Sequence, residues 1–277
     1  MNTPKICLNT STIREHKLPL KEIVTLAASA GYVAIEPWID EIERHTAEGG
    51  SLADLHKHIE DSGLKVVSAI GFAEWIVDNP ERRAHGLEVA RRDMALVSQL
   101  GCTYIAAPPM GATEVYDADL SKIAERYFDL CEVGVEQDVA PMLELWGFSK
   151  TLSKLGEVAY VALESGHKNA LLLTDVYHLY KGGSDPAALR LLNGKFLPLL
   201  HVNDYPAINR ETIVDADRVY PGDGIAPYKT VVNALTENGF DGFFSLELFN
   251  AEYYKQSPEL VLRTGFEKTK AALTQSY

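Results

Sequence analysis

Short apolar runs recur along the chain, most of them entered through a glycine, and they alternate with stretches of helical periodicity. Gly31 precedes YVAIEPW, Gly63 precedes LKVVSAI and Gly101 precedes CTYIAAPP; Gly166 comes shortly before ALLLTD, and Gly239 precedes FDGFFSLEL. A glycine just past a helix end adopts the left-handed cap conformation without steric cost. The runs that follow are apolar on both faces and rich in β-branched or aromatic residues, as parallel strands buried on both sides require. Three further runs, Lys5–Asn9, Ala140–Leu145 and Leu199–Asn203, read the same way and bring the strand count to eight. Between them the periodicity predicts helices over roughly 19–30, 51–62, 80–100, 118–138, 151–165, 185–194, 226–238 and 258–274. Ser51-Leu-Ala-Asp54 opens the second of these with a capping-box-like pattern.

Eight βα units in 277 residues predict a single (β/α)8 TIM barrel spanning 1–277. A doubly wound open sheet is the competing arrangement, but no GxGxxG follows the first strand to favour it. No linker or low-complexity stretch divides the chain. The longest irregular segment, about 203–226, follows the seventh strand, on the face where a barrel carries its active-site loops.

Composition narrows the function classes. With 46% hydrophobic and 23% charged residues the chain has the balance of a soluble globular protein. Its 26 Lys+Arg against 39 Asp+Glu leave a net charge of −13, which repels phosphate backbones and argues against nucleic acid as a partner. No apolar run approaches the ~20 residues of a membrane span. The opening MNTPKICLNT lacks the apolar stretch of a signal peptide. Cys7, Cys102 and Cys131 are widely spaced with no CxxC, which fits a reduced, cytoplasmic setting. A homo-oligomer is compatible with all of this.

The candidate chemistry sits at strand C-termini. PMLELW places Glu144 near the end of the fifth strand; LLLTDVYH ends the sixth with Asp175, with His178 one turn on. LLHVND carries His201, Asn203 and Asp204, and FFSLELF carries Glu247. The four residues Glu144, Asp175, His201 and Glu247 are 31, 26 and 46 residues apart, one βα unit each with the last stretched by the long loop. A barrel converges such positions at its top face. Three carboxylates and an imidazole gathered there would repel one another, and one divalent ion removes the conflict. Oxygen-rich ligation with one histidine suits Mn²⁺, Mg²⁺, Co²⁺ or Zn²⁺. The plainer alternative is four separate polar residues, each bonding to a loop.

Other residues read two ways. Trp38, Trp75 and Trp146 follow strands and either wall a sugar pocket with flat apolar faces or pack as caps on the barrel top. Glu36, on the second strand, either hydrogen-bonds a substrate hydroxyl or serves as a structural partner. Arg218, in a loop beside PGDG, either reaches substrate or bridges surface acids. His16, His45, His56, His58, His85 and His167 show no ligand spacing and read as surface, as do the Glu41–Glu43 and Arg82–Arg83 runs.

The set Glu144, Asp175-x-x-His178, His201-Val-Asn-Asp204 and Glu247 resembles the xylose-isomerase-like barrels, grouped as sugar phosphate isomerases/epimerases. Within them the likeness is greatest to the inosose isomerase (2-keto-myo-inositol isomerase) branch of inositol catabolism. It runs over essentially the whole chain, from the opening CLN strand and Ile35-Glu36 to DADRVYPGDG at 215–224 and SLELFNAEYYK at 245–255. The resemblance implies that Glu144, Asp175, His201 and Glu247 hold the metal and that Glu144 and Glu247 are also the catalytic acid/base pair. It implies that His178 and Arg218 contact substrate oxygens, and Trp146 and Glu36 join them as substrate-binding candidates.

The implied activity is isomerisation of a keto-polyol or sugar by glutamate-mediated proton transfer through an enediolate, with the metal steadying the oxyanion. Ketose 3-epimerases of this superfamily usually carry a second glutamate six residues after the fifth-strand one; here that position is Lys150, which argues against a ketose epimerase. Gly147 is followed by Phe148 and Ser149 rather than the His-Pro of the inosose isomerase pattern. Alternative readings are a ketose 3-epimerase, a hydroxypyruvate-type isomerase or an inosose dehydratase-like lyase. A non-enzymatic sugar-binding barrel is the least favoured.

Overall fold

Seven parallel strands form one curved sheet in the computed structural model, which describes residues 3–115 and 119–274. They are β1 (Lys5–Asn9), β2 (Ala34–Glu36), β3 (Tyr104–Ala107), β4 (Ala140–Glu144), β5 (Leu171–Asp175), β6 (Leu199–Val202) and β7 (Phe243–Leu246), in the order β2-β1-β7-β6-β5-β4-β3. The eighth expected strand, 64–70, lies between the two sheet edges as an irregular extended segment. It makes parallel bridges to the second strand's side at Ile35–Val66 and Trp38–Ile70. On its other side, Ala106 N donates to Ala69 O at 2.9 Å. That segment therefore closes the ring, and the fold is the expected TIM barrel.

Helices surround the strands: α1 (Leu20–Ala30), α2 (Ile39–Ala47), α3 (Leu52–Asp61), α4 (Pro80–Ser98), α5 (Leu120–Gln137), α6 (Leu155–Glu164), α7 (Val176–Gly182), α8 (Tyr228–Glu237) and α9 (Pro258–Thr274). The five expected glycine caps are all left-handed, from Gly166 at φ 63° to Gly31 at φ 101°. Among the described residues no helix is long and apolar enough to cross a membrane.

Three expectations need correction. Helices α2 and α7 were not foreseen, because each starts within three residues of a strand end and is capped by a site-side residue rather than by a loop. The predicted helix 185–194 is a short 3-10 turn over Pro186–Leu191. The predicted helix 151–165 begins only at Leu155, because Glu157 turns back to accept from the Ser153 and Lys154 amides. The predicted helix 118–138 is observed as Leu120–Gln137, with Ala118 outside the described residues.

The inside of the barrel explains where the chemistry sits. A separate apolar cluster there takes Cys7 from β1, Ala34 from β2, Val67 from the closing segment, Ala106 from β3, Met142 from β4, Leu173 from β5 and Leu199 from β6. Side chains alternate along a strand, so the residue two positions on also points inward, one level nearer the C-terminal rim. On five of the seven those positions are Asn9, Glu36, Glu144, Asp175 and His201, all buried; on the closing segment and β3 they are Ala69 and Pro108. An apolar plug thus underlies a polar layer built from consecutive strands.

Candidate metal and acid–base site

Each polar side chain of that layer is held from below or beside. Glu36 ends β2 with no exposure; its Oε2 accepts from Asn9 Nδ2 at 3.0 Å, Ser245 Oγ at 2.8 Å and His201 Nε2 at 2.9 Å. Because Nε2 is committed to Glu36, His201 presents Nδ1 upward. That atom is buried without a hydrogen-bond partner, 3.4 Å from Glu247 Oε2 and 3.8 Å from Asp175 Oδ2. Asp175 ends β5 and caps α7, accepting from His178 N at 2.9 Å through Oδ1 and from Asn203 Nδ2 at 2.9 Å through Oδ2. Asn203 in turn accepts from Tyr177 N at 3.0 Å. Glu247 follows β7 and receives Asn9 Nδ2 at Oε1, 3.1 Å away.

Asp175, His201 and Glu247 offer one ligand atom each within 4.8 Å of one another, and all three are buried. Two carboxylate oxygens facing an imidazole nitrogen that lacks any other partner is a donor set that fits a divalent cation. Glu144 lines the same pocket from the end of β4 but stands outside that three-residue cluster.

Arg218 arrives from the loop after β6. Its Nη1 donates to Asp175 Oδ2 at 3.1 Å and Glu247 Oε2 at 2.7 Å, the same two oxygens that face His201 Nδ1. Its Nη2 donates to Asp215 and, at 3.2 Å, to His178 Nε2. Arg218 is 1% exposed, so this is an interior guanidinium rather than a bridge between surface acids. An arginine can only donate, so His178 accepts at Nε2 and carries its proton at Nδ1, which is buried without a partner. His178 therefore lines the pocket with Nε2 held by Arg218 and Nδ1 buried and unpartnered.

Electrostatics follow from burial and these neighbours. Burial pushes the Glu144 carboxyl up to about 8, with nearby Glu247 adding to the effect and His201 opposing it. Glu247 is also raised, first by burial. Burial alone would raise Asp175, but Arg218, His178 and His201 hold it below the usual carboxylate range. The same balance, with His201 opposing burial, lowers Glu36. His178 falls to about 4 because it is desolvated next to Arg218. His201 rises to about 10: burial opposes the charge, but Glu247 and Glu36 outweigh it. The four carboxylates thus split into two lowered, Glu36 and Asp175, and two raised, Glu144 to about 8 and Glu247.

Above this floor is a cavity of about 400 Å³ whose lining includes Trp38, Phe72, Trp146, Phe148 and Phe249. Of the three tryptophans weighed from sequence, Trp38 and Trp146 reach it. Trp75 does not: it is 1% exposed in the core, with its indole donating to Pro108 O at 2.8 Å. Glu36 is not among the residues lining the cavity; its Oε2 is the partner of His201 Nε2. His167 is buried against Glu132 instead of lying on the surface. Glu41 is buried as well, accepting from Trp38 N and Thr10 Oγ1, and so is no part of a solvated face. Sequence reasoning missed Asn9, whose amide serves Glu36, Glu247, the Trp38 indole and Ser11 N together. The available signal was strand alternation, since Asn9 stands two residues past the inward-facing Cys7.

A family model described as xylose isomerase-like TIM barrel matches residues 24–272. An inosose isomerase from Bacillus velezensis is 28% identical over 278 residues, covering 99% of this chain and 98% of the relative. A fructoselysine 3-epimerase from Escherichia coli O157:H7 is 21% identical over 287 residues, covering 95% and 97%. Among solved structures, a crystal structure of IOLI protein with a binding zinc atom superposes with a TM-score of 0.90 at 23% identity, over 99% of both chains.

Proposed function

The chain belongs to the xylose isomerase-like TIM barrel family, and from that premise we propose that it is a divalent-metal-dependent isomerase of a keto-polyol or sugar, most specifically an inosose (2-keto-myo-inositol) isomerase. The observation that carries the reading is the convergence of Asp175, His201 and Glu247 within 4.8 Å, with Glu144 in the same pocket. Relatives named as an inosose isomerase and a sugar epimerase, and the zinc atom of the IOLI structure, support it.

Asp175, His201 and Glu247 would hold the metal, and Glu144 is assigned as the fourth ligand. When bound, the ion would supply positive charge to an oxygen of the substrate beside the carbon that loses its proton. The remaining work belongs to side chains. Glu144, whose pKa is pushed up to about 8, is suited to exchange a proton near neutral pH. Glu247 lies across the pocket floor as its partner in returning it. Glu36 fixes the His201 ring through Nε2 so that Nδ1 remains turned to the carboxylates. Arg218 and His178 are proposed to reach substrate oxygens; the two oxygens that Arg218 Nη1 now bridges are those a cation would take, so ligation would release it toward the cavity. Isomerase is favoured over ketose 3-epimerase because Lys150 pairs with Glu114 at 3.2 Å on the surface and adds no carboxylate to the pocket.

The test is incubation of the purified protein with Mn²⁺ and a panel of keto-inositols and ketohexoses in D₂O. Deuterium incorporation next to the carbonyl with isomer formation is expected. Loss of water would make the protein a lyase, and absence of both reactions would sink the enzymatic reading.

A further inference from the structure

The cavity wall contains more flat apolar surface than a bare polyol can use. Ring contacts run from Phe249 to Trp38 (6.2 Å between centroids), to Phe72 (5.1 Å), to Trp146 (6.2 Å) and to Phe148 (5.1 Å). Phe148 meets the His178 ring at 5.7 Å, His178 meets Arg218, and the Arg218 guanidinium lies 5.1 Å from the Phe249 ring. The sequence of contacts closes on itself as a collar around the pocket.

The indole nitrogens of this collar are turned away from the opening, and its rim carboxylate is already paired. The Trp38 indole donates to Asn9 Oδ1 at 3.0 Å, the Trp146 indole serves Glu144, and Asp215 at the rim is bound to Arg218. From Phe249 through Trp38, Phe72 and Trp146 to Phe148 a hydroxyl held at collar height meets carbon, and hydrogen-bonding groups are confined to the stretch of His178, Arg218 and Asp215, which is unfavourable for a fully hydroxylated molecule. Two collar members, Phe72 and Phe148, remain 38% and 43% exposed at the mouth, although large apolar side chains gain by being covered. The cavity of about 400 Å³ is also in the range that encloses ligands larger than a single sugar ring.

We propose that the substrate is a keto-polyol or keto-sugar bearing an apolar, ring-containing substituent, with the polyol on the charged floor and the substituent inside the aromatic collar. This rests on the proton-transfer reading of the floor and keeps its keto-polyol class, but puts a substituted keto-polyol in place of free inosose as the substrate. Phe72 and Phe148 are then specificity-determining residues that close over the substituent.

The methyl and phenyl glycosides of 3-keto-glucose share the polyol and differ only in the substituent. Binding to the Mn²⁺-loaded protein is measured by titration calorimetry for both. The phenyl compound is expected to bind about tenfold or more tightly, the scale of one or two aromatic contacts. In Phe72→Ala and Phe148→Ala that ratio is expected to shrink to about threefold or less. Equal dissociation constants for the two probes, failure of the phenyl compound to bind, or a ratio unchanged in both variants overturns the inference. If a variant does not fold, the parent ratio alone decides. Deuterium exchange beside the ketone is read separately, with free keto-inositol included. Exchange without phenyl preference removes the collar inference and leaves the proposed function. Phenyl preference abolished by the variants, without exchange in any compound, upholds the collar and removes the proton-transfer reading.

Discussion

Glu247 and Glu144 share a pocket but not a setting. Glu247 receives Asn9 at one oxygen and Arg218 at the other, whereas Glu144 meets the Trp146 indole and otherwise faces the cavity. Replacement by glutamine keeps the shape and one ligand oxygen but removes the basicity. Glu144→Gln and Glu247→Gln are each expected to keep much of their metal and to lose about 10²-fold or more in turnover, the usual scale of general acid–base catalysis. Metal analysis beside solvent deuterium exchange checks this; near-normal exchange in either variant would reduce that glutamate to a ligand. Asn9 acts one step back. Its two amide protons serve Glu36 and Glu247 and its oxygen serves the Trp38 indole and Ser11 N, so the amide is saturated. Asn9→Ala strands buried polar groups, and a loss of about 1–3 kcal/mol in denaturant unfolding is expected. A variant as stable as the parent would show that the network reorganises without it.

The long connection after β6 owes its shape to one carboxylate. Asp204 accepts from Tyr205 N at 2.7 Å and Ala226 N at 2.8 Å through Oδ1, and from Gly222 N at 2.9 Å through Oδ2. Its backbone pairs with Val219 in both directions at 2.8 Å, and Asn250 Nδ2 holds Arg218 O at 2.9 Å. Gly224 has no room for a Cβ, which would fall 2.2 Å from Tyr205 O. A loop of irregular backbone thereby delivers Arg218 to the floor. Asp204→Ala frees three amides at once. Faster limited proteolysis within 205–224 is expected, with weaker substrate binding and an unchanged metal content. Metal loss in that variant would instead mean that the loop supports the ligands themselves. Element ends carry the same economy elsewhere: Asp175 closes β5 and caps α7, which is why that helix follows its strand without a connecting loop.

At the scale of the whole molecule, the floor gathers carboxylates that His201 and Arg218 balance in the metal-free chain and that one cation would balance when bound. In the metal-free chain His201, raised to about 10, contributes its ion-pair stability fully below its ordinary 6.5, and that contribution fades as pH rises toward about 10. Metal ligation has the opposite sign, because the proton on His201 must leave before Nδ1 can bind. Metal affinity is therefore expected to increase with pH up to about 10, by about tenfold per pH unit for the His201 proton and more steeply below about 8, where Glu144 also gives one up. Calorimetric titration in buffers of different ionisation enthalpy would show the released proton; pH-independent affinity would exclude His201 as the ligand. Metal at 100 times its dissociation constant is expected to add about 2.7 kcal/mol of stability, reversed by chelator in a thermal melt.

The barrel was legible because its cause is local and repeated. Glycine caps, two-sided apolar runs and helical periodicity mark eight units, and they need only short-range sterics and burial to be read. Seven runs are strands where expected; the eighth, 64–70, is irregular although it still closes the ring, since which strands it bridges depends on both neighbours. The convergence of Asp175, His201 and Glu247 was legible, with Glu144 near them in the pocket but outside their cluster, because a strand end in a barrel always faces the same rim. Alternation along a strand could also have flagged Asn9. Other placements were decided only in three dimensions. Glu36 lies under His201, Trp75 turns into the core while Trp38 and Trp146 reach the cavity, and Glu41 caps a helix from the inside. Arg218 crosses from a distant loop to neutralise the floor. Periodicity states which face a residue takes, but height within the barrel, the path of a loop and the pairing of charges depend on contacts between residues far apart in sequence.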